Sequence, residues 1–574
     1  MATLSRPAPS FTLFGRTPTQ ALTLVLAAAL LAAWLGLALW ANLDASAARH
    51  MLFMDELITH DGVQLIYDAE SPVHAVRAAM ENEQRYGRTT FYLSYVTSTI
   101  GDAFAGEQGR IVANRMGFAL VTCAAICMLS WTMLETAWGR LVGLAVGLTV
   151  PMASYYATMP KPDPLMLLFM ALYFFSWKRS GNPFGYAMIW LGLSFGTKIA
   201  AFPALAMIIP LVFAQAWLTN QRPSAVLLKK SALSFLAGFL IAVPIILSSF
   251  PRGFSYYLQQ TWMNRHHSLD VPGTGIADWM GVIISSAFFG DGLATLAVMA
   301  VFSLLILGAL WLAAGRPARF GEALHAAGTL AQSPHFITVT ATIAGAAMLG
   351  AIVVSTDRLW LFYLFPGAVL VTLGAVSSLE KIARSGSSLS RTVRFGTVSL
   401  GSLACAATAM AGAQFLHKDF EDLAHRSTTE RFVQSKSVYE ALVREADTLV
   451  ASDDVDLPIR VAFSAHFWHP TTTENTEYLP FYHAFWHWPM GLDLVALGPE
   501  HMDRQLTPAP ERDDATRYEG ERLLPLHTDI GGPCTLAPCY RQILTGAEAD
   551  GLFLFARDED ADDHALSSET SSTS

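Results

Sequence analysis

Apolar runs long enough to enter a bilayer recur about eleven times along this chain, and that repetition limits the fold more than any other feature. They cover about 21–41, 111–133, 141–157, 164–177, 185–197, 199–218, 231–249, 292–314, 335–354, 359–378 and 396–415. In hydrocarbon every backbone N–H and C=O must be satisfied internally, which leaves α-helices or closed barrels. Runs of this length, without strict alternation, specify helices. The expected fold class is therefore mainly α: a polytopic transmembrane helical bundle of about 11 spans. Several runs fall short of the roughly 17 residues a span needs, so broken, tilted or protein-buried helices are expected among them. Composition agrees. Only 15% of the 574 residues are charged, against about 25% in soluble domains. A net charge of −10 argues against nucleic-acid partners, which select basic surfaces.

Charge orients the bundle. The first run follows Arg6 and Arg16 and, at about 20 residues, is long for a signal-peptide core, so it reads as an uncleaved span. With the N-terminus in the cytoplasm and sides alternating, the cytoplasmic segments hold fourteen Lys or Arg against Glu135, Glu322 and Glu380. Lys and Arg near span ends mark the inner side. The reading is a multi-pass protein with a cytoplasmic tail (1–20), a transmembrane domain (21–415) and a long first extracytoplasmic loop (42–110). An extracytoplasmic α/β domain follows (416–556), and then an acidic Ser/Thr-rich tail (557–574) expected to be disordered.

Within that domain, Ser427 to Val450 reads as an amphipathic helix. Pro458–Phe463, Leu492–Leu497 and Gly551–Phe555 read as short strands. Cys534 and Cys539 are spaced for a local disulfide in an oxidising compartment; two free thiols are the alternative. Cys123, Cys127 and Cys405 lie in apolar runs and read as small core residues. His466, His469, His483 and His487 have metal-compatible spacing, though aromatic packing or a sugar-facing surface explains them as well. No cofactor is specified; a divalent cation stays open.

Strongly polar residues gather on the non-cytoplasmic side. Asp55-Glu56 follows the first span, where an acidic pair costs desolvation unless it is used or paired. Three prolines around Lys161 and Asp163 fix a rigid turn. Lys198 sits between two short apolar runs, after a break expected at Gly196; a snorkelling lysine is the plain alternative. The stretch 250–291 adds Arg265, His266 and His267 among aromatics, suiting sugar stacking, phosphate binding or an interfacial belt. Arg358 precedes another aromatic run. Acidic centres beside several cations suit a general base with an anion-stabilising cluster. P-loop, GxSxG and HExxH elements are not found.

The pieces Asp55-Glu56, Arg88-Thr89-Thr90-Phe91-Tyr92, Arg115, Lys161-Pro162-Asp163, Gly192 through Lys198, and Arg358 before Pro366 occur in this order. Together they resemble the integral-membrane glycosyltransferases of the GT-C class. The nearest likeness is to the bacterial branch of lipid A aminoarabinose transferases and protein O-mannosyltransferase-like proteins. The likeness covers roughly Ala21 to Leu379. Family members often carry two prolines where this chain has Thr89 and Thr90. The resemblance implies sugar transfer, with inversion, from a polyprenyl-phosphate-linked donor to a lipid, glycan or protein acceptor at the outer face of a bacterial inner membrane. It implies Asp55 and Glu56 as catalytic residues, and Arg88, Lys198, Arg358 and Arg265 around the donor phosphate. Lys161, Asp163, Tyr92, His266 and His267 would face acceptor or sugar. The rival readings are a transporter or flippase for a lipid-linked or anionic solute, and an inactive membrane scaffold.

Overall fold

The computed structural model describes residues 18–43, 54–81, 87–150, 152–244, 246, 292–313, 327–355, 361–384, 390–424, 442–444 and 446–451. It also describes 458–463, 475–480, 493–497, 526–527, 540–544 and 553–557. The chain divides into two compact units, Met1–Asn42 with Thr59–Asp422, and Leu43–Ile58 with Leu423–Ser574.

The first unit is a helical bundle. Its helices are α1 (Pro18–Asn42), α2 (Met54–Tyr67, which begins in the second unit), α3 (Pro72–Glu81), α4 (Thr89–Met133), α5 (Ala137–Leu148) and α6 (Tyr155–Thr158). They continue with α7 (Asp163–Ser180), α8 (Met188–Thr197), α9 (Phe202–Leu218), α10 (Ala225–Ala242) and α11 (Gly292–Ala313). Last come α12 (His335–Ser355), α13 (Phe365–Arg384) and α14 (Arg391–Ala424). Among the described residues, seven helices are long and apolar enough to cross a membrane. The runs expected at 141–157 and 185–197 give shorter helices, α5 with 12 residues and α8 with 10.

α4 is a hairpin rather than one rod. Ala105 and Gly106 leave helical geometry, and Gly106 takes φ +57, a conformation that favours glycine. The two arms then run antiparallel. Gly101 meets Gly109 so closely that a Cβ on either would collide with the other's carbonyl oxygen. Further along, the Thr97 hydroxyl donates to Asn114 Oδ1 at 3.3 Å. The sequence places 89–104 in an external loop; the structure folds it back along the second arm.

Small residues set the other close crossings. A Cβ at Gly192 would strike the Phe235 carbonyl oxygen, and one at Gly238 the Ile189 carbonyl oxygen. α8 and α10 therefore touch backbone to backbone, as small-residue positions allow in membrane helices.

The buried end of α4 shows how backbone groups are satisfied. Its last carbonyls have no partner within the helix. Lys178 of α7 donates to the carbonyls of Thr132 at 2.6 Å and Trp131 at 3.1 Å. Thr338 of α12 and Ser377 of α13 both donate to that of Met133, at 3.2 and 3.0 Å. Arg140 Nε donates to that of Leu134 at 3.2 Å. One helix end thus fastens four others.

The second unit carries a six-stranded mixed sheet of order β2-β1-β3-β6-β5-β4. The strands are β1 (Ile459–Phe463), β2 (Thr476–Pro480), β3 (Leu494–Leu497), β4 (Leu526–His527), β5 (Tyr540–Leu544) and β6 (Phe553–Arg557). β1 pairs in parallel with β2 and β3, whereas β6 runs antiparallel to β3 and β5. Three strands match expectation within a few residues; β2, β4 and β5 were not expected. The described part of the amphipathic segment, 442–444 and 446–450, is helical.

Candidate functional site

The site is assembled where four helix termini of the first unit converge. Pro203 sits at the start of α9. Its ring and missing N–H bar a continuous helix from α8, and the chain breaks at Lys198, which is extended (φ −154, ψ 127). The break falls two residues beyond the expected one at Gly196. It releases the Thr197 carbonyl, which accepts from the Gly87 N–H at 3.0 Å. The Arg88 N–H donates to the Ala242 carbonyl at the end of α10, at 2.7 Å. Gly87 is required there, because a Cβ would collide with the Gly196 carbonyl oxygen.

A buried hydroxyl pair completes this seam. Thr89 Oγ1 lies 2.7 Å from Thr197 Oγ1. Thr197 already donates its proton to the Leu193 carbonyl at 2.7 Å, so Thr89 is the donor between them. One helical turn apart on the same arm, Thr90 and Ser94 are fully buried, with hydroxyls that find no hydrogen-bond partner among the described residues. Such groups ordinarily bind a water or a ligand atom.

The charged groups face this seam from α7 and α8. Asp163 opens α7 as its first residue, where the helix dipole favours a carboxylate. Lys198 Nζ lies 2.8 Å from both Asp163 oxygens. The same ammonium sits 5.0 Å from the Tyr363 ring centroid. Lys161, 2% exposed, lies 5.3 Å from that of Tyr155. Arg88, 3% exposed, lies 5.2 Å from that of Phe91. Aromatic faces of this kind help to stabilise a buried cation.

Helix geometry gives the separation. At about 1.5 Å per residue, Asp163 stands about 22 Å along α7 from Lys178, which marks the capped end of α4. The first arm of α4 is about 24 Å long and the second about 40 Å, so Arg88 lies roughly 16 Å from that same end. Buried ionisable groups among apolar helices are expensive and characteristic of function.

Of the residues singled out in the sequence, the structure draws together Lys198 and Asp163 by direct contact and Arg88 by the backbone seam. Lys161 lies two residues from Asp163, and Tyr92 is half-buried one turn after Arg88. Arg115 is fully buried and donates to Asn42 Oδ1 at 3.3 Å. It ties α1 to α4 within the bundle. Asp55 and Glu56 lie in the first turn of α2, and Glu56 is 2% exposed; the side chain of Asp55 is not among those described. Arg265, His266, His267, Arg358, Cys534, Cys539 and the four C-terminal-domain histidines lie outside the described residues. Among the described residues, no cluster of three or more His, Cys, Asp or Glu could hold a metal ion. The Thr89–Thr197 bond, the Gly87–Gly196 contact and the aromatic faces under the lysines were not foreseen. A glycine directly before Arg88 was the one available signal.

No protein-family model matches the chain, and no curated protein does. Two solved structures of ArnT from Cupriavidus metallidurans are similar to it. The one bound to undecaprenyl phosphate is 12% identical, with a TM-score of 0.45 over 84% of this chain and 94% of that one. The apo one is 11% identical, with a TM-score of 0.48 over 95% of this chain and 99% of that one.

Proposed function

We propose that this chain is a membrane glycosyltransferase that moves a sugar from a polyprenyl-phosphate-linked donor to an acceptor hydroxyl at the outer membrane face. The observation that carries the reading is the set of charged side chains Arg88, Lys161, Lys198 and Asp163 buried where helix ends converge. The order of motifs shared with the GT-C class supports it. In this reading Arg88, Lys198, Arg358 and Arg265 neutralise the phosphate as it leaves, so the departing group needs no proton. Asp55 takes the proton of the acceptor hydroxyl, and Glu56 orients Asp55 or the acceptor. The acceptor oxygen bonds to the anomeric carbon as the carbon–phosphate-oxygen bond breaks. The electron pair stays on the lipid phosphate, and configuration inverts. Lys161, Asp163, Tyr92, His266 and His267 contact the sugar or the acceptor.

Turnover of purified Asp55→Asn and Glu56→Gln proteins with a lipid-linked sugar pool tests this. Asp55→Asn should lose about 10²–10⁴ in rate, the usual cost of removing a general base, while Glu56→Gln loses less. Near-normal turnover in both would overturn the mechanism.

One observation favours a second reading. A buried charged cluster inside a helical bundle is also how transporters bind anionic solutes. Uptake of a labelled lipid-linked sugar into proteoliposomes, without glycosidic bond formation, would identify a flippase instead.

A further inference from the structure

The end of α4 that faces away from Lys198 carries a second charged cluster. Glu135 lies within electrostatic reach of Arg140, Lys178, His335 and Lys381, and pairs directly with Arg384. Its Oε1 is 3.6 Å from His335 Nε2. Among the described residues Glu380 is the other carboxylate facing the cluster, and it is already engaged. Its oxygens accept from the backbone N–H groups of Glu135 at 3.0 Å and Thr136 at 2.6 Å. Among the described residues Arg140, Lys178, Lys381 and Arg384 therefore outnumber Glu135 and Glu380, an excess of positive charge.

Donor capacity is left over as well. Arg140 uses Nε on the Leu134 carbonyl; its terminal nitrogens make no hydrogen bond among the described residues. Lys381 makes none there at all. Both side chains are half-buried, held in place rather than trailing in water. On α5, Trp138 is 49% exposed and Val142 39% exposed. This apolar strip ends at a tryptophan, the residue that settles at the headgroup level. Capping α4 accounts for Arg140 Nε and for Lys178. The Arg140 guanidinium also lies 5.9 Å from the Trp131 ring centroid and near Glu380, yet its terminal nitrogens and Lys381 keep hydrogen-bond donors unused among the described residues.

We propose that this cluster binds the phosphate of an anionic phospholipid, in the leaflet opposite the candidate site, with Arg140 and Lys381 as donors. The planar guanidinium presents paired N–H groups that match a phosphate. Lys178 and Arg384 add field without direct contact. The apolar strip of α5 lies alongside the acyl chains. Bound lipid would brace the turn from which α5, α7, α12 and α13 are all hung.

The test uses the full chain in neutral detergent, with phosphatidylglycerol, phosphatidylcholine or inorganic phosphate added. Thermal unfolding and native mass spectrometry give the readouts. Phosphatidylglycerol should raise the unfolding temperature and remain bound, whereas the other two should do neither. Lys381→Gln should weaken phosphatidylglycerol binding on the order of tenfold, as loss of a charge-assisted bond does, with an unchanged lipid-free unfolding temperature. Arg140→Lys keeps charge but loses the fork, and should weaken binding too. Equal stabilisation by phosphatidylcholine, or by phosphate alone, overturns the lipid assignment. So does wild-type affinity in the Arg140→Lys, Lys381→Gln double variant.

Discussion

The ammonium of Lys198 is shared equally between the two oxygens of Asp163, 2.8 Å from each, and the two side chains are 11% and 2% exposed. A pair this dry gains little net stability from its own attraction, because desolvation offsets it. What it does is hold the end of the lysine side chain in one fixed place inside the bundle. A phosphate entering the site would meet a lysine already positioned, and would take over part of what Asp163 now supplies.

Removing one partner should therefore cost more than removing both. Asp163→Asn removes the Asp163 charge from beside the poorly exposed Lys198, at about 3–5 kcal/mol. The Asp163→Leu, Lys198→Met double variant should recover most of that stability in thermal unfolding, yet use a lipid-linked donor poorly. A double variant with normal donor kinetics would take Lys198 out of the site.

Thr89→Val should be milder. It deletes the donor to Thr197 while Thr197 keeps its own bond to Leu193, at a cost of about 1 kcal/mol. The expected readout is a small fall in unfolding temperature, with a larger loss of turnover because the residue after Arg88 is no longer pinned. Unchanged values for both would show that the Gly87 and Arg88 backbone bonds suffice.

At Gly192 the expectation is steric. Gly192→Leu would drive a side chain into the Phe235 backbone, which cannot step aside, and monodisperse yield after detergent extraction should collapse. Gly36→Ala on α1 is the control, since nothing lies within 4 Å of the added methyl. There the gain in helix propensity is about 1 kcal/mol, and yield should hold or rise. Equal behaviour of the two variants would refute backbone contact between α8 and α10.

Topology can be read with a reporter. A phosphatase fused after Val450 should be active only when exported, given the Lys/Arg asymmetry between the two sides. Activity confined to the cytoplasm would place the proposed donor site on the opposite face.

Much of the bundle was legible because long apolar runs have few alternatives to spanning helices. The first arm of α4 was not. Ser94, Thr97, Ser98, Thr99 and Asp102 dilute its hydropathy, and it is held by contact with Asn114, Gly109 and Gly117 rather than by lipid. β2 contains Glu477 and ends at Pro480, and β5 opens Tyr-Arg-Gln; neither alternates cleanly, so both are strands by pairing more than by pattern. In the site, Lys198 and Asp163 each stood out as a polar residue in apolar surroundings. Their partnership did not, because no local periodicity links residues 35 positions apart. The resemblance implies a phosphate for Lys198 and an acceptor or sugar for Asp163; the fold also pairs the two with each other.

The returning arm of α4 has a consequence for how the protein is made. Thr89 has no partner until Thr197 exists, 108 residues later, and Arg88 waits longer still for Ala242. At about 5–20 residues per second of synthesis, an arm bearing an arginine and unpaired hydroxyls passes several seconds beside a half-built bundle. During that interval the α4 turn and the contacts between its two arms must keep it from slipping into lipid or out to water. Slow translation across 89–242 would prolong the exposure, and a quality-control protease that recognises unpartnered polar helices would find its best substrate there.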